Sequence, residues 1–214
     1  METALDYLSK TESAARKLFE GIDSYIRILD GHKKALFVSS AATKEELHRE
    51  FTAWSEQHQD EIGARNAAFE RFFSEGFAQA ALCGAVLHLA FKAVEVYSRN
   101  VEVPDAWSAV LKGEKKARRF AFGRPVRGVP LGLVIYAGRN QHMHYEDRNF
   151  REPTPTVFDT LARNFPGARS HEHKDPALDV TNPLLESLAS NVTFVLGWRS
   201  YGEYYNDMRE LLVP

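Results

Sequence analysis

The chain has 214 residues, of which 44% are apolar and 26% charged. That is enough apolar content for a packed core, and it excludes wholesale disorder or a fibrous repeat. A formal net charge of −2 and a pI near 6.5 exclude a protein that coats nucleic acid non-specifically, while leaving room for a local basic groove. A single cysteine, Cys83, excludes an intrachain disulfide framework and a cysteine-rich zinc site. The opening Met1-Glu2-Thr3-Ala4 is acidic and lacks the apolar run of a secretory signal. The longest uncharged apolar stretch, 77–91, is shorter than the roughly 20 residues of a membrane span. The expectation is a cytoplasmic protein with no membrane partner.

In chain order, apolar residues at Leu5, Leu8, Leu18, Phe19, Ile22, Tyr25, Ile26 and Leu29 fall at helical spacing. They predict a helix over 4–29 that stops near Gly31 and His32. Residues 34–39 read as a short strand without a partner. Thr43-Lys44-Glu45-Glu46 fits a capping box, in which the Thr hydroxyl accepts the Glu46 amide and Glu46 reaches back. The helix after it places Leu47, Phe51, Trp54, Ile62, Phe69, Phe72 and Phe73 on one core face, with Gly63 and Gly76 as breaks. Residues 77–97 are apolar nearly all round, which predicts a central buried helix with Cys83 and His88 as packing residues. Pro104-Asp105 opens a further helix carrying Trp107, Val110 and Leu111.

The composition then turns basic. Lys115, Lys116, Arg118, Arg119, Arg124 and Arg127 lie in a stretch expected to form a loop over 112–130, punctuated by Gly123, Pro125, Gly128 and Pro130. Pro130 suits the first turn of a helix over 131–145. Residues 148–180 are irregular and proline-rich, with one short helix over 157–164. A last helix begins near Thr181-Asn182-Pro183 with a stripe at Leu184, Leu185, Leu188, Val192, Val195 and Leu196. The aromatics Trp198, Tyr201, Tyr204 and Tyr205 follow. Strand-like alternation is nearly absent, so the expected fold is one all-α domain over 1–214, a bundle of six or seven helices. The first four helices and 131–145 form its core, with the last helix packed across them.

The segment Gly138-Arg139-Asn140-Gln141-His142-Met143-His144-Tyr145-Glu146-Asp147 concentrates a cation, amides, imidazoles and carboxylates behind an apolar run. A guanidinium grips a phosphate bidentately and stabilises charge developing on it. An imidazole titrating near neutrality takes or returns a proton. Arg139, Asn140 and, after four intervening residues from the arginine, His144 resemble the motif of HEPN-family ribonucleases. A second match, Arg27 to His32, spans a helix end and is read as structural.

The resemblance implies a helical bundle and metal-independent RNA cleavage at a homodimer interface, without a cofactor. It also implies service as a toxin or defence effector, with an antitoxin or regulatory protein as a further partner. Arg139 would then bind phosphate, His144 would do acid–base work with His142 in reserve, and Asn140 would position them. Glu146 and Asp147 would orient an imidazole, while the six cations of 112–130 would contact the RNA backbone. On a regular helix, residues five apart point about 140° away from each other. The pair therefore needs a helix end, a distortion or the partner subunit to meet.

Two alternatives stand beside this. One is a non-catalytic helical binding or regulatory module, antitoxin-like or an adaptor, using the basic loop and the 198–205 aromatics as interfaces. The other is a metal-dependent hydrolase built on His142, His144, His171 and His173 with nearby carboxylates.

Overall fold

Helix α4 (Gly76–Tyr97) is the most apolar segment of the protein, and it buries Cys83, Val86, Leu87, Ala90, Phe91 and Val94 among others. Burying a side chain the size of Phe91 contributes about 2–3 kcal/mol. Among the described residues α4 is the one helix long and apolar enough to cross a membrane by length and composition. The structure, a computed structural model, describes residues 3–30, 36–147, 149–166, 173–183 and 185–213. His32, His171, Glu172 and Leu184, which carried expectations above, lie outside the described residues.

The protein is all-α. The other helices are α1 (Ala4–Asp30), α2 (Lys44–Gln57), α3 (Gln59–Ser74), α5 (Asp105–Ser108), α6 (Lys115–Arg118), α7 (Leu131–Met143), α8 (Thr154–Arg163), α9 (Ala189–Val195) and α10 (Tyr201–Leu212). Strands β1 (Pro125–Val126) and β2 (Val129–Pro130) pair antiparallel, Pro125 opposite Pro130. Ten helices among the described residues exceed the six or seven expected, for three reasons. The helix after Thr43 divides at His58 rather than at Gly63. The basic stretch expected as a loop holds the single turn of α6 and the hairpin. The expected last helix is two helices, because Gly197 takes φ +77 and Ser200 starts a new capping box with Glu203. The described part of the expected 34–39 strand has no regular structure.

The chain divides into two compact units. The larger, Met1–Gly21 with Ala78–Pro214, holds α7, which packs on α8, α9 and the hairpin. Close approaches fall at glycines. A Cβ on Gly138 would lie 2.7 Å from Val192, and one on Gly132 would collide with the Phe120 carbonyl. Leu8, Ala15 and Phe19 of α1 are buried in this unit, and the Phe19 ring lies 5.8 Å from that of Tyr204. Trp198, Tyr201 and Tyr204 are buried as well. Those aromatics belong to the core, which corrects their reading as an exposed interface.

The smaller unit is Ile22–Phe77. The capping box at Thr43 is present, with Glu46 N–H on the Thr hydroxyl at 3.2 Å. Here the core expectation fails. Helix α2 buries no residue and α3 buries only Ala68, so their aromatic face is not core.

Candidate functional site

Helix α7 is anchored by its buried first half, Leu131, Leu133, Val134 and Ile135, which leaves its second half to carry the polar motif. The antiparallel turn before it is fixed by Arg127 and Gly128, both at positive φ (48° and 83°). Arg127 holds that left-handed conformation with Nη1 donating to the Leu161 carbonyl at 3.0 Å and to Asp175 at 2.7 Å.

Arg139 is half-buried near the end of α7. Its guanidinium carbon lies 4.9 Å above the Phe91 ring, which stacks in turn on Phe120 at 4.8 Å. Nη1 donates to Asn140 Oδ1 at 3.1 Å, and the buried Nε has no partner. Asn140 and Arg139 therefore act together, and a donor is left for an incoming acceptor. Gln141 clamps the helix from its buried side. Its Nε2 donates to the Glu186 carbonyl and its Oε1 accepts the Leu188 amide, both at 2.7 Å.

The two imidazoles of the motif have different settings. The His142 ring lies against Gly84, where a Cβ would collide with it, and its Nδ1 shares a 2.7 Å hydrogen bond with the Ser187 hydroxyl. Burial first, and then the Arg139 cation, push its pKa below the usual histidine value, so this ring is neutral at pH 7. His144 is the C-cap of α7, and its amide donates to the Asn140 carbonyl at 3.1 Å. Its side chain is 59% exposed, with Nδ1 3.3 Å from an Asp147 carboxylate oxygen. That contact leaves Nε2 facing outward. Glu146 instead accepts the Tyr145 hydroxyl at 3.3 Å.

The motif thus yields two local groupings, Arg139 with Asn140 and His144 with Asp147. Among the described residues no hydrogen bond joins Arg139 to His144. His142 and His144 do not converge, and no group of three metal-ligating side chains is close enough to hold an ion among the described residues.

Several residues that sequence reasoning passed over belong to this neighbourhood. Gly84, His88 and Phe91 recur at helical spacing on α4. His88, read as a core histidine, is only half-buried. Burial, then Arg139 and Lys92, lower its pKa, while Glu95 opposes them. Ser187 reaches His142 from the segment before α9. The spacing of Gly84, His88 and Phe91 was the available signal for a glycine–imidazole–aromatic stripe.

The six cations expected to face RNA are placed differently. Lys116 pairs with Glu95 and lies 5.0 Å over Phe91. Arg119 donates to the Ser98 carbonyl at 2.9 Å. Arg124 forks onto Asp207 at 2.8 and 2.7 Å and also reaches the Leu196 carbonyl at 2.7 Å. With Arg127 on Asp175, four of the six serve the fold, and Lys115 and Arg118 remain exposed. Asp207 also accepts the Trp198 indole N–H at 2.7 Å, so Arg124 and Trp198 share one anchor. A cleft of about 900 Å³ lined by Tyr97, Asn100, Phe122, Arg124, Leu131 and Leu211 includes neither Arg139 nor His144. Comparison with protein-family models, curated proteins and solved structures finds no match to this chain.

Proposed function

We propose that the protein is a metal-independent RNA endonuclease of the cytoplasm, working as a homodimer with Arg139, Asn140 and His144 at its site. The observation that carries this reading is the exposed end of α7. There His144 is oriented by Asp147 with Nε2 free, one turn beyond a guanidinium that keeps an unpartnered Nε. A carboxylate-oriented imidazole with a free second nitrogen is the arrangement a general base needs. His144 Nε2 takes the ribose 2′-hydroxyl proton. The 2′-oxygen then attacks the adjacent phosphorus and the bond to the 5′-oxygen breaks. The leaving 5′-oxygen takes a proton from the imidazolium of the partner copy. The products are a 2′,3′-cyclic phosphate and a 5′-hydroxyl end.

Arg139 holds the phosphate and stabilises the charge that builds on its oxygens. Asn140 fixes the guanidinium. His142, pinned on Ser187 and Gly84, is a positioning residue rather than the working imidazole. The two-fold partner supplies the proximity that about 140° of helix rotation denies a single chain. A toxin or defence role, with an antitoxin or regulatory protein as partner, is what the motif's resemblance adds.

Purified protein should cleave total RNA in EDTA, leaving cyclic phosphate ends. Arg139→Ala and His144→Ala should abolish cleavage while His142→Gln retains it. Intact RNA with wild type, or undiminished cleavage by His144→Ala, refutes the reading.

One observation favours a second reading, a non-catalytic helical module. The basic segment is engaged mainly within the fold, at Glu95, Ser98, Asp175 and Asp207. Such a module would leave RNA intact and retain a protein partner.

A further inference from the structure

The smaller unit, Ile22–Phe77, presents an apolar surface with little of its own to cover it. Leu36 is 77% exposed, Val38 79%, Leu47 43%, Phe51 48%, Phe69 36% and Phe73 72%. These side chains lie together in sequence and form local aromatic groups. Phe51 meets Phe37 edge-on at 5.3 Å, and Phe69 stacks on Phe73 at 6.4 Å. Isolated exposed apolar residues need no explanation, but a contiguous aromatic set on helices that bury almost nothing does.

The area and the charge together specify the occupant. The exposed parts of these six residues amount to about 600 Å², given whole residues of roughly 150–200 Å². One side of a standard protein–protein interface buries about 800 Å², of which rather more than half, about 500 Å², is apolar. The surface therefore supplies the apolar share of one complete side. Carboxylates outnumber cations over 44–74, which disfavours nucleic acid as the covering partner. Helix α3 begins with Asp60 and Glu61 and carries Arg71 in its last turn. An antiparallel copy of the same helix would set each acidic end against a basic one, as an isologous two-fold contact requires.

From these observations we infer that the α2–α3 face is a self-association surface, covered by the same face of a second copy of this chain. The inference does not rest on the nuclease reading. A charge placed at Phe51 or Phe73 would be desolvated in the paired state and free in the single one, so it acts on association rather than folding.

Sedimentation equilibrium of the full chain over about 0.5–50 µM should give twice the 24.3 kDa chain mass at the upper end. Phe51→Glu/Phe73→Glu should weaken the dissociation constant at least about tenfold, with helical circular dichroism unchanged. Val101→Glu, at an 81% exposed position of the other unit, should leave it unaltered. In wild type, amide hydrogen exchange across α3 should slow as concentration rises, a readout that requires no variant to fold. A chain that stays single throughout overturns the inference. So does a dimer indifferent to the double substitution, or α3 protection independent of concentration. RNA cleavage measured on the same samples separates the two claims. Lost cleavage by His144→Ala with an intact dimer leaves both standing, and a wild-type dimer that never cleaves refutes only the nuclease.

Discussion

At the scale of single residues, two imidazoles two positions apart on one helix are set to different tasks by what surrounds them. His144 has solvent and a carboxylate. His142 has Gly84 beneath it and Ser187 on Nδ1. If cleavage is measured, His144→Ala should reduce the rate by about 10²–10⁴, the usual worth of a general acid–base group. His142→Gln should instead lower stability with a modest effect on rate. The depressed pKa values of His142 and His88 have a consequence for stability. Both rings are held neutral by burial and by Arg139, so protons bind the unfolded chain more readily than the folded one. Their contribution to stability is complete above the unfolded value of about 6.5 and is lost as pH falls through the lower folded values. Thermal melts should hold steady above about pH 7 and fall on acidification, with a shallower slope in His142→Gln/His88→Gln. An unchanged slope would show that neither ring is buried as described. Gly84→Ala tests the same packing from the other side. Its methyl displaces the His142 ring and breaks the Ser187 bond, at a cost of about 1–3 kcal/mol read from denaturant midpoints.

Among the elements, what the sequence disclosed depended on whether the signal was local. The Thr43 capping box is a four-residue pattern whose partners are all in the pattern, and it is present. The same signature at Ser200 and Glu203 was overlooked because the leucine and valine stripe running toward it suggested one uninterrupted helix. Gly197, at φ +77, ends that stripe before the box begins. Ser200→Ala should therefore cost about 1 kcal/mol and lower the melting temperature by about 2–4 °C. A neutral result would mean that α10 is held by its buried Tyr204, Met208 and Leu211 alone. The stripe of α2 and α3 was legible as a face but not as to what covers it. Periodicity reports that apolar residues share a side, and the same spacing serves a core or an interface. The motif at 139–144 could be read as a grouping of side chains. The division of its members between Asn140, Ser187 and Asp147 could not, because Ser187 comes from a distant segment.

For the molecule as a whole, the deciding quantity is where its positive charge is used. A run of cations in sequence shows charge but not partners, and the partners here are remote. Arg124 reaches Asp207 across 83 positions and Arg127 reaches Asp175 across 48. Each brace joins the hairpin that precedes α7 to a later part of the larger unit, so these arginines position the helix that carries the motif. The Arg127 and Asp175 side chains are only 20% and 18% exposed, so removing the cation leaves a poorly solvated carboxylate. Arg127→Ala should lower stability by about 1–3 kcal/mol, less than for a fully buried pair because some solvent remains. Lys115→Ala and Arg118→Ala, both at exposed sites on α6, should change stability by no more than about 0.5 kcal/mol. In RNA binding the order should reverse. Each exposed cation that touches a phosphate contributes about one unit to the slope of log affinity against log salt, so the α6 pair should flatten that slope. The hairpin variant, assayed below its melting point, should leave the slope unchanged. Filter binding across a salt series checks both. A slope unmoved by Lys115→Ala/Arg118→Ala would mean that RNA does not cross α6, and would leave Arg139 as the phosphate-binding cation of the larger unit.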